Sequence, residues 1–231
     1  MKRSFVYGFL VMAATVAATT PARAVSYSGS LSVGDTGLSA VGVWDNVATT
    51  FRWVVDDTTT PGRWHYSYTL ATPGGPGAGI SHVIFEASDG FGFENLFAPA
   101  TDPSDWISQA ADGTEIQTHL PGPGNPDMPS SVYGIKFNAA DNADATTLAL
   151  SFDSDRVPVW GDFYAKAGQG ALWNSGFSAA DPTDGPADGS IEHHVLVPDT
   201  ATILIPVPGA LVLGSLGVVL VGWIRGYRRL I

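Results

Sequence analysis

The sequence predicts an all-β fold for residues 25–202, an antiparallel β-sandwich of jelly-roll type. Three observations carry that prediction. Apolar and polar residues alternate with period two through segments rich in aromatic and β-branched side chains. Gly, Pro, Asn and Asp cluster between those segments, where neither a helix nor a central strand can continue. No stretch of the body sustains the three-to-four-residue apolar period of an amphipathic helix, and no fixed-period repeat is present. Two stacked antiparallel layers are the economical way to bury so many half-apolar strands.

In chain order, the first element is a leader. Lys2 and Arg3 precede an apolar run over residues 5–18, which ends at Thr19-Thr20-Pro21 and the small-residue triplet Ala22-Arg23-Ala24. This is the layout of a secretory signal peptide, residues 1–24, with signal peptidase expected to cut between Ala24 and Val25. Strands are then expected over residues 50–56, 63–70, 80–87, 132–138, 147–153 and 157–165, with weaker ones over 27–33 and 194–197. Residues 63–70 are the clearest, since alternation puts Trp64, Tyr66, Tyr68 and Leu70 on one face. Tyr133, Ile135 and Phe137 share a face in the same way, as do Leu148, Leu150 and Phe152. The separators 72–79, 121–129 and 181–189 read as loops.

The last element is a tail, residues 203–231. Ile205, Pro206, Val207 and Pro208 form an extended, proline-stiffened segment, followed by Gly209 and Ala210, which leave the backbone accessible. A charge-free apolar run to Ile224 approaches the ~20 residues of a single transmembrane helix. Arg225, Arg228 and Arg229 then supply the positive charge that stays on the cytoplasmic side, so the body is expected outside and the chain end inside.

These tail residues resemble a PEP-CTERM sorting signal in its Ile/Val-Pro-x-Pro form, with Val207 where the family name has glutamate. The resemblance covers about the last 27 residues. It implies recognition by an exosortase, a membrane-embedded cysteine transpeptidase of Gram-negative bacteria that make extracellular polysaccharide. It also implies a short stay in the inner membrane and a final place at the cell surface or outside the cell. Residues 80–86, 128–137 and 160–166 resemble stretches that recur in the bodies of other proteins with such tails, a body type with no activity attached to it.

Charge narrows the partners. All 22 acidic residues lie in the body, against Arg52, Arg63, Lys136, Arg156 and Lys166, so 22 minus 5 leaves it near −17 with histidines neutral. Such a surface repels phosphate backbones, which excludes nucleic-acid binding through a basic face. The chain has no cysteine, so packing and backbone pairing must hold it, and thiolate chemistry is excluded.

Motifs for chemistry are sparse. No nucleophile elbow, phosphate-binding glycine loop or zinc-protease helix occurs. His193 and His194 are neighbours, which in a strand would face opposite ways, and they read as surface histidines. Among the carboxylates, Glu86, Glu94, Asp153 and Asp162 lie in or beside expected strands and are the first to weigh as an acid/base pair for glycoside hydrolysis. Asp181, Asp184 and Asp188 place hard oxygen atoms on a turn-forming backbone, as Asp153-Ser154-Asp155 does in miniature. That pattern suits Ca²⁺ and equally suits ordinary turn chemistry with no cofactor. Trp106 and Trp173 sit in less regular segments and are the candidates for an exposed indole that stacks on a sugar ring, the alternative being core packing.

The expected function is therefore that of a non-catalytic surface or matrix protein. The rivals are a carbohydrate-binding module and, behind it, a glycan-cleaving enzyme.

Overall fold

The computed structural model describes residues 24–46, 48–72, 79–140, 145–168 and 170–202, all within one compact unit, Ala24–Ile205. Thirteen strands make up the described chain: β1 Ser26–Ser32, β2 Leu38–Gly42, β3 Thr50–Asp56, β4 Trp64–Ala71, β5 Ile80–Glu86, β6 Leu96–Asp102, β7 Thr114–His119, β8 Val132–Asn138, β9 Thr147–Ser154, β10 Arg156–Gly161, β11 Phe163–Ala167, β12 Gly170–Asn174 and β13 Val195–Thr202. One 3₁₀ turn, Phe93–Asn95, precedes β6, and the described residues contain no α-helix.

The strands pair antiparallel throughout. One sheet has the order β1-β3-β4-β9-β6, a second β2-β12-β11-β5-β8-β7, and a third is the two-stranded ribbon β10-β13. The two large sheets face each other through aromatic rings. Phe51 of β3 stacks on Phe163 of β11 with centroids 3.8 Å apart, Tyr68 of β4 stacks on Phe85 of β5 at 4.1 Å, and Phe152 of β9 meets Phe137 of β8 at 5.9 Å. A β-sandwich is the result. Buried tyrosine hydroxyls need acceptors, and Tyr66 donates to the carbonyl of Arg156 while Tyr68 donates to that of Leu196. Both bonds tie the ribbon to the first sheet, and Val195, Leu196 and Val197 of β13 are fully buried in the common core.

Alternation placed the inward faces correctly. Tyr66, Tyr68 and Leu70 are buried with Trp64 packed beside them, and Ile135, Phe137, Leu148, Leu150 and Phe152 are all in the core. Two expectations need correction. The single strand over 157–165 is two, because the chain turns at Asp162 from the ribbon into the second sheet, and the Asp162 amide donates to the Glu86 side chain at 2.8 Å. Four strands, β2, β6, β7 and β12, were not expected. Strand β6 is an edge strand with a bulge at Ala98 and Pro99, and β7 is a largely polar edge. Edges have fewer apolar neighbours, so they lack the alternation that marks central strands. Strands β2 and β12 are five residues each and rich in Gly, Ala and Ser, too short and small to show a period.

Candidate functional site

A group of ionisable side chains, two of them buried, lies where the ribbon, the second sheet and the long connection 175–194 meet. Asp162 stands at the break between β10 and β11, Glu86 ends β5, Asn174 ends β12, and His194 immediately precedes β13. The connection from β12 to β13 carries Asp181 to the same place. Asp162 is 6% exposed, while Asn174 and His194 are completely buried.

Each group is oriented by a neighbour. The Asn174 side-chain oxygen accepts the Phe163 amide at 2.9 Å, which turns its NH₂ onto Asp162 Oδ1 at 2.6 Å. Glu86 Oε2 accepts the Asp162 amide. His194 Nδ1 lies 3.3 Å from the Ile191 carbonyl, an acceptor only, so this nitrogen carries the proton and Nε2 is the one that faces the carboxylates. Nε2 is 3.7 Å from Asp162 Oδ1 and 3.6 Å from Asp181 Oδ1, and it has no hydrogen-bond partner. The three donor atoms lie within 4.8 Å of one another.

Two local features put the imidazole there. Glu192 and His193 both adopt left-handed backbone angles, φ 48° and 64°, immediately before it. Two such residues in succession cost on the order of 1–2 kcal/mol each, so the packing around His194 over-determines the turn. Gly176 lies against the ring, where an added Cβ would come 2.8 Å from His194 Cε1 and 2.5 Å from the Glu192 carbonyl.

The electrostatics follow from burial. Desolvation, with Asp181 and Asp162 close by, raises the Glu86 carboxyl to about 8. Desolvation also raises Asp162 to about 6, against the Asn174 hydrogen bond and the His194 ring, and Asp181 is raised by burial as well. Among the described residues no lysine or arginine forms an ion pair with Glu86, Asp162 or Asp181.

The residues singled out from sequence are distributed unevenly about this site. Asp181 belongs to it. Asp184 is exposed and Asp188 accepts the Ser28 amide at 2.8 Å, pinning the loop to β1, so the Asp181, Asp184 and Asp188 set expected for Ca²⁺ is drawn to separate partners. Asp153 is likewise taken by Thr60 and His65, and Asp155 by Asn95, with the Arg156 guanidinium 3.6 Å away, so the miniature oxygen set does not converge either. His194 corrects the reading of a surface histidine, because the turn at 192–193 drives it inward, whereas His193 stays exposed. Of the four carboxylates weighed as an acid/base pair, Glu86 and Asp162 are brought together, while Glu94 and Asp153 are elsewhere.

Trp106 is 1% exposed and donates its indole N–H to the Ile80 carbonyl, so it is a core residue and has no face to offer a sugar. Trp173 is half-buried against the smaller apolar cluster around Tyr164 and Phe177. Among the described residues the large exposed aromatic ring is Phe93, at 60%, on the rim of a cleft of about 420 Å³ lined by polar residues, Thr101, Ser104, Ser108 and Gln109 among them, and in equal part by apolar ones such as Pro99 and Ile107. Ala22, Ile205, Pro206, Val207, Pro208, Gly209, Ala210, Arg225, Arg228 and Arg229 lie outside the described residues. Ala24 and Val25 are described, and the Val25 amide donates to Asp57 Oδ1 at 2.8 Å.

No family model matches the chain, and no curated protein does. Among solved structures, the chain is similar to the KRT10-binding region domain of the pneumococcal serine rich repeat protein PsrP, at 10% identity over 63% of this chain and 89% of that one, with a TM-score of 0.20. A likeness at that level transfers neither fold nor function.

Proposed function

We propose that the chain is an exported surface or extracellular-matrix protein, sorted by an exosortase-type transpeptidase, with a non-catalytic jelly-roll-like sandwich as its body. The observation that carries this reading is the order of parts in the tail: Ile205-Pro206-Val207-Pro208, then an apolar span, then Arg225, Arg228 and Arg229. This tail starts just after Thr202, where the body's last strand ends. The leader agrees with it. Cleavage after Ala24 turns the Val25 nitrogen into an ammonium group, and Asp57, which already accepts the Val25 amide, is placed to receive that charge.

On this reading the secretory machinery and signal peptidase act first. The body then stands outside the inner membrane with the arginines in the cytoplasm, until the tail is cut and the body passes to the surface. Acid/base cleavage of glycans fits the body poorly. Asp162 is buried and Glu86 half-buried among protein groups, and Glu86 is engaged by a backbone amide.

The test is the mature C-terminus. In a host that has the sorting enzyme, mass spectrometry should find the chain ending near Pro206 to Gly209, and in a host without it the tail should remain. Replacing Pro206 and Pro208 by alanine should leave export and insertion intact but block cleavage, because the segment can then join the adjacent helix. A mature protein that keeps Ile231 in both hosts refutes the sorting reading.

A second reading, binding of extracellular polysaccharide, is favoured by the cleft beside Phe93, whose uncharged lining mixes hydroxyl and amide groups with apolar side chains such as Ile107, a mixture that suits the two faces of a sugar, and whose exposed ring can stack. Retention of the protein on immobilised polysaccharide that disappears in Phe93→Ala supports it, and equal retention of both proteins removes it.

A further inference from the structure

We infer that Asp162, Asp181 and His194 form a binding site for one first-row transition-metal dication of the zinc class, which fastens the long β12–β13 connection to the sandwich. This inference stands apart from the sorting reading, since it concerns only the body.

The argument starts from the lone pairs. With its proton on Nδ1 toward the Ile191 carbonyl, the His194 ring directs Nε2 at two carboxylate oxygens, in a position closed to water. Three electron-rich atoms within 4.8 Å of one another repel unless a proton or a metal cation lies among them. A second proton on Nε2 would draw one oxygen to the ~2.7–2.9 Å of a charge-assisted hydrogen bond. The separations are instead 3.6 and 3.7 Å, to both oxygens alike. Ligands at the ~2.0–2.2 Å typical of zinc, set at tetrahedral corners, stand roughly 3.3–3.6 Å apart, so the nitrogen is already near ligand spacing from each oxygen, and the two oxygens, within 4.8 Å of one another, have at most about 1.5 Å to close.

Ligand chemistry selects the metal. An imidazole nitrogen with two carboxylates suits zinc and its neighbours, whereas Ca²⁺ takes six to eight oxygens and seldom a nitrogen. The surrounding bonds are those a metal site requires: a carbonyl on the far nitrogen of the histidine, and the Asn174 amide on Asp162. No lysine or arginine competes for the carboxylates among the described residues. Asp181 is the outer ligand, with its side chain 44% exposed, so an ion can enter from its side and keep a water there as the fourth ligand.

The role follows from position. Residues 175–194 run without a strand or helix between β12 and β13. So long a connection costs entropy to order, and a clip that joins Asp181 within it and His194 at its end to Asp162 of the frame reduces that freedom.

The experiment uses the full chain without a histidine tag, purified in mild detergent, stripped with a chelator and titrated separately with Zn²⁺, Co²⁺ and Ca²⁺ by calorimetry and thermal melting. The segments outside the body contain no His, Cys, Asp or Glu to bind metal. The expected result is one Zn²⁺ per chain, a rise in Tm of about 5–10 °C at free metal ~100 times Kd, and visible Co²⁺ absorption of four-coordinate intensity. Asp181→Asn and His194→Gln should each weaken binding at least ~10-fold, and Asp184→Asn and Asp188→Asn should not. Asp181 lies on an exposed loop, so its variant keeps the fold even if that of His194 does not. No binding of Zn²⁺ or Co²⁺, binding of Ca²⁺ in their place, or Zn²⁺ binding that survives Asp181→Asn overturns the inference.

Discussion

Acid should weaken this sandwich through His82, and the size of the effect can be worked out. His82 lies in β5, 4% exposed, with Lys136 of β8, Lys166 of β11 and His119 of β7 acting on it. Burial first, and then these positive neighbours, lower its pKa from 6.5 to about 3, an Asn125 contact opposing them. The folded state therefore refuses a proton that the unfolded chain accepts below 6.5. The stability His82 confers by staying neutral is complete above the unfolded value and is lost as pH falls toward the folded one. Between neutral pH and about pH 5 the loss is roughly 1.36 × log(1 + 10^1.5), or about 2 kcal/mol. His82→Gln removes the titration and keeps a polar side chain of similar size. Urea unfolding of residues 25–202 at about pH 7.5 and pH 5, followed by tryptophan fluorescence, gives the loss for each protein, and the variant should lose about 2 kcal/mol less than the parent. Comparing differences cancels any fixed cost of the substitution. Equal losses in the two proteins would refute the reasoning and place the acid sensitivity in other groups.

Other tests probe the packing directly. Phe51→Ala removes the ring that stacks on Phe163 across the two sheets and should cost about 3–5 kcal/mol, or roughly 10 °C in Tm, whereas Val54→Ala, on the outer face of the same strand and 44% exposed, should stay within ~0.5 kcal/mol. Similar costs would mean the register of β3 is wrong. Gly134→Ala drives a Cβ into the Phe85 carbonyl oxygen and should lower stability by about 1–3 kcal/mol, while Gly124→Ala, with open space around it, should be neutral in the same melting assay. Trp106→Ala should cost about 3–5 kcal/mol in chemical denaturation and leave polysaccharide retention of the folded protein unchanged. A melting point equal to the parent's, with retention lost, would return Trp106 to the ligand surface.

Much of the fold was legible along the chain because the strands that build its centre are buried on one face. In β3, β4, β8 and β9 that burial writes an alternation of large apolar and small polar residues, and their limits were read to within a residue. The leader and tail proposed for residues 1–24 and 203–231 rest on sequence order alone, since a membrane reads length, hydrophobicity and charge along the chain, as do the enzymes that cut beside it. Neither depends on what folds against what.

Only the tertiary structure decided the rest. Gly161-Asp162 is a weak break signal between two apolar stretches, and the contact that fixes the break is the bond from the Asp162 amide to Glu86, 76 residues earlier. Trp106 and His194 lie in irregular segments, where period gives no direction, and only the contacts of Ile80 and Ile191 show that both point inward. Asp181, Asp184 and Asp188 are equivalent as letters in a loop. They become different because folding brings His194 and Asp162 to the first and Ser28 to the last. The sequence by itself thus determined the class of fold, and it is the sole basis of the sorting signals proposed at either end, because both are properties of neighbours along the chain. The site required the closure of sheets over long separations, since its donor atoms acquire their directions from partners that no spacing rule connects.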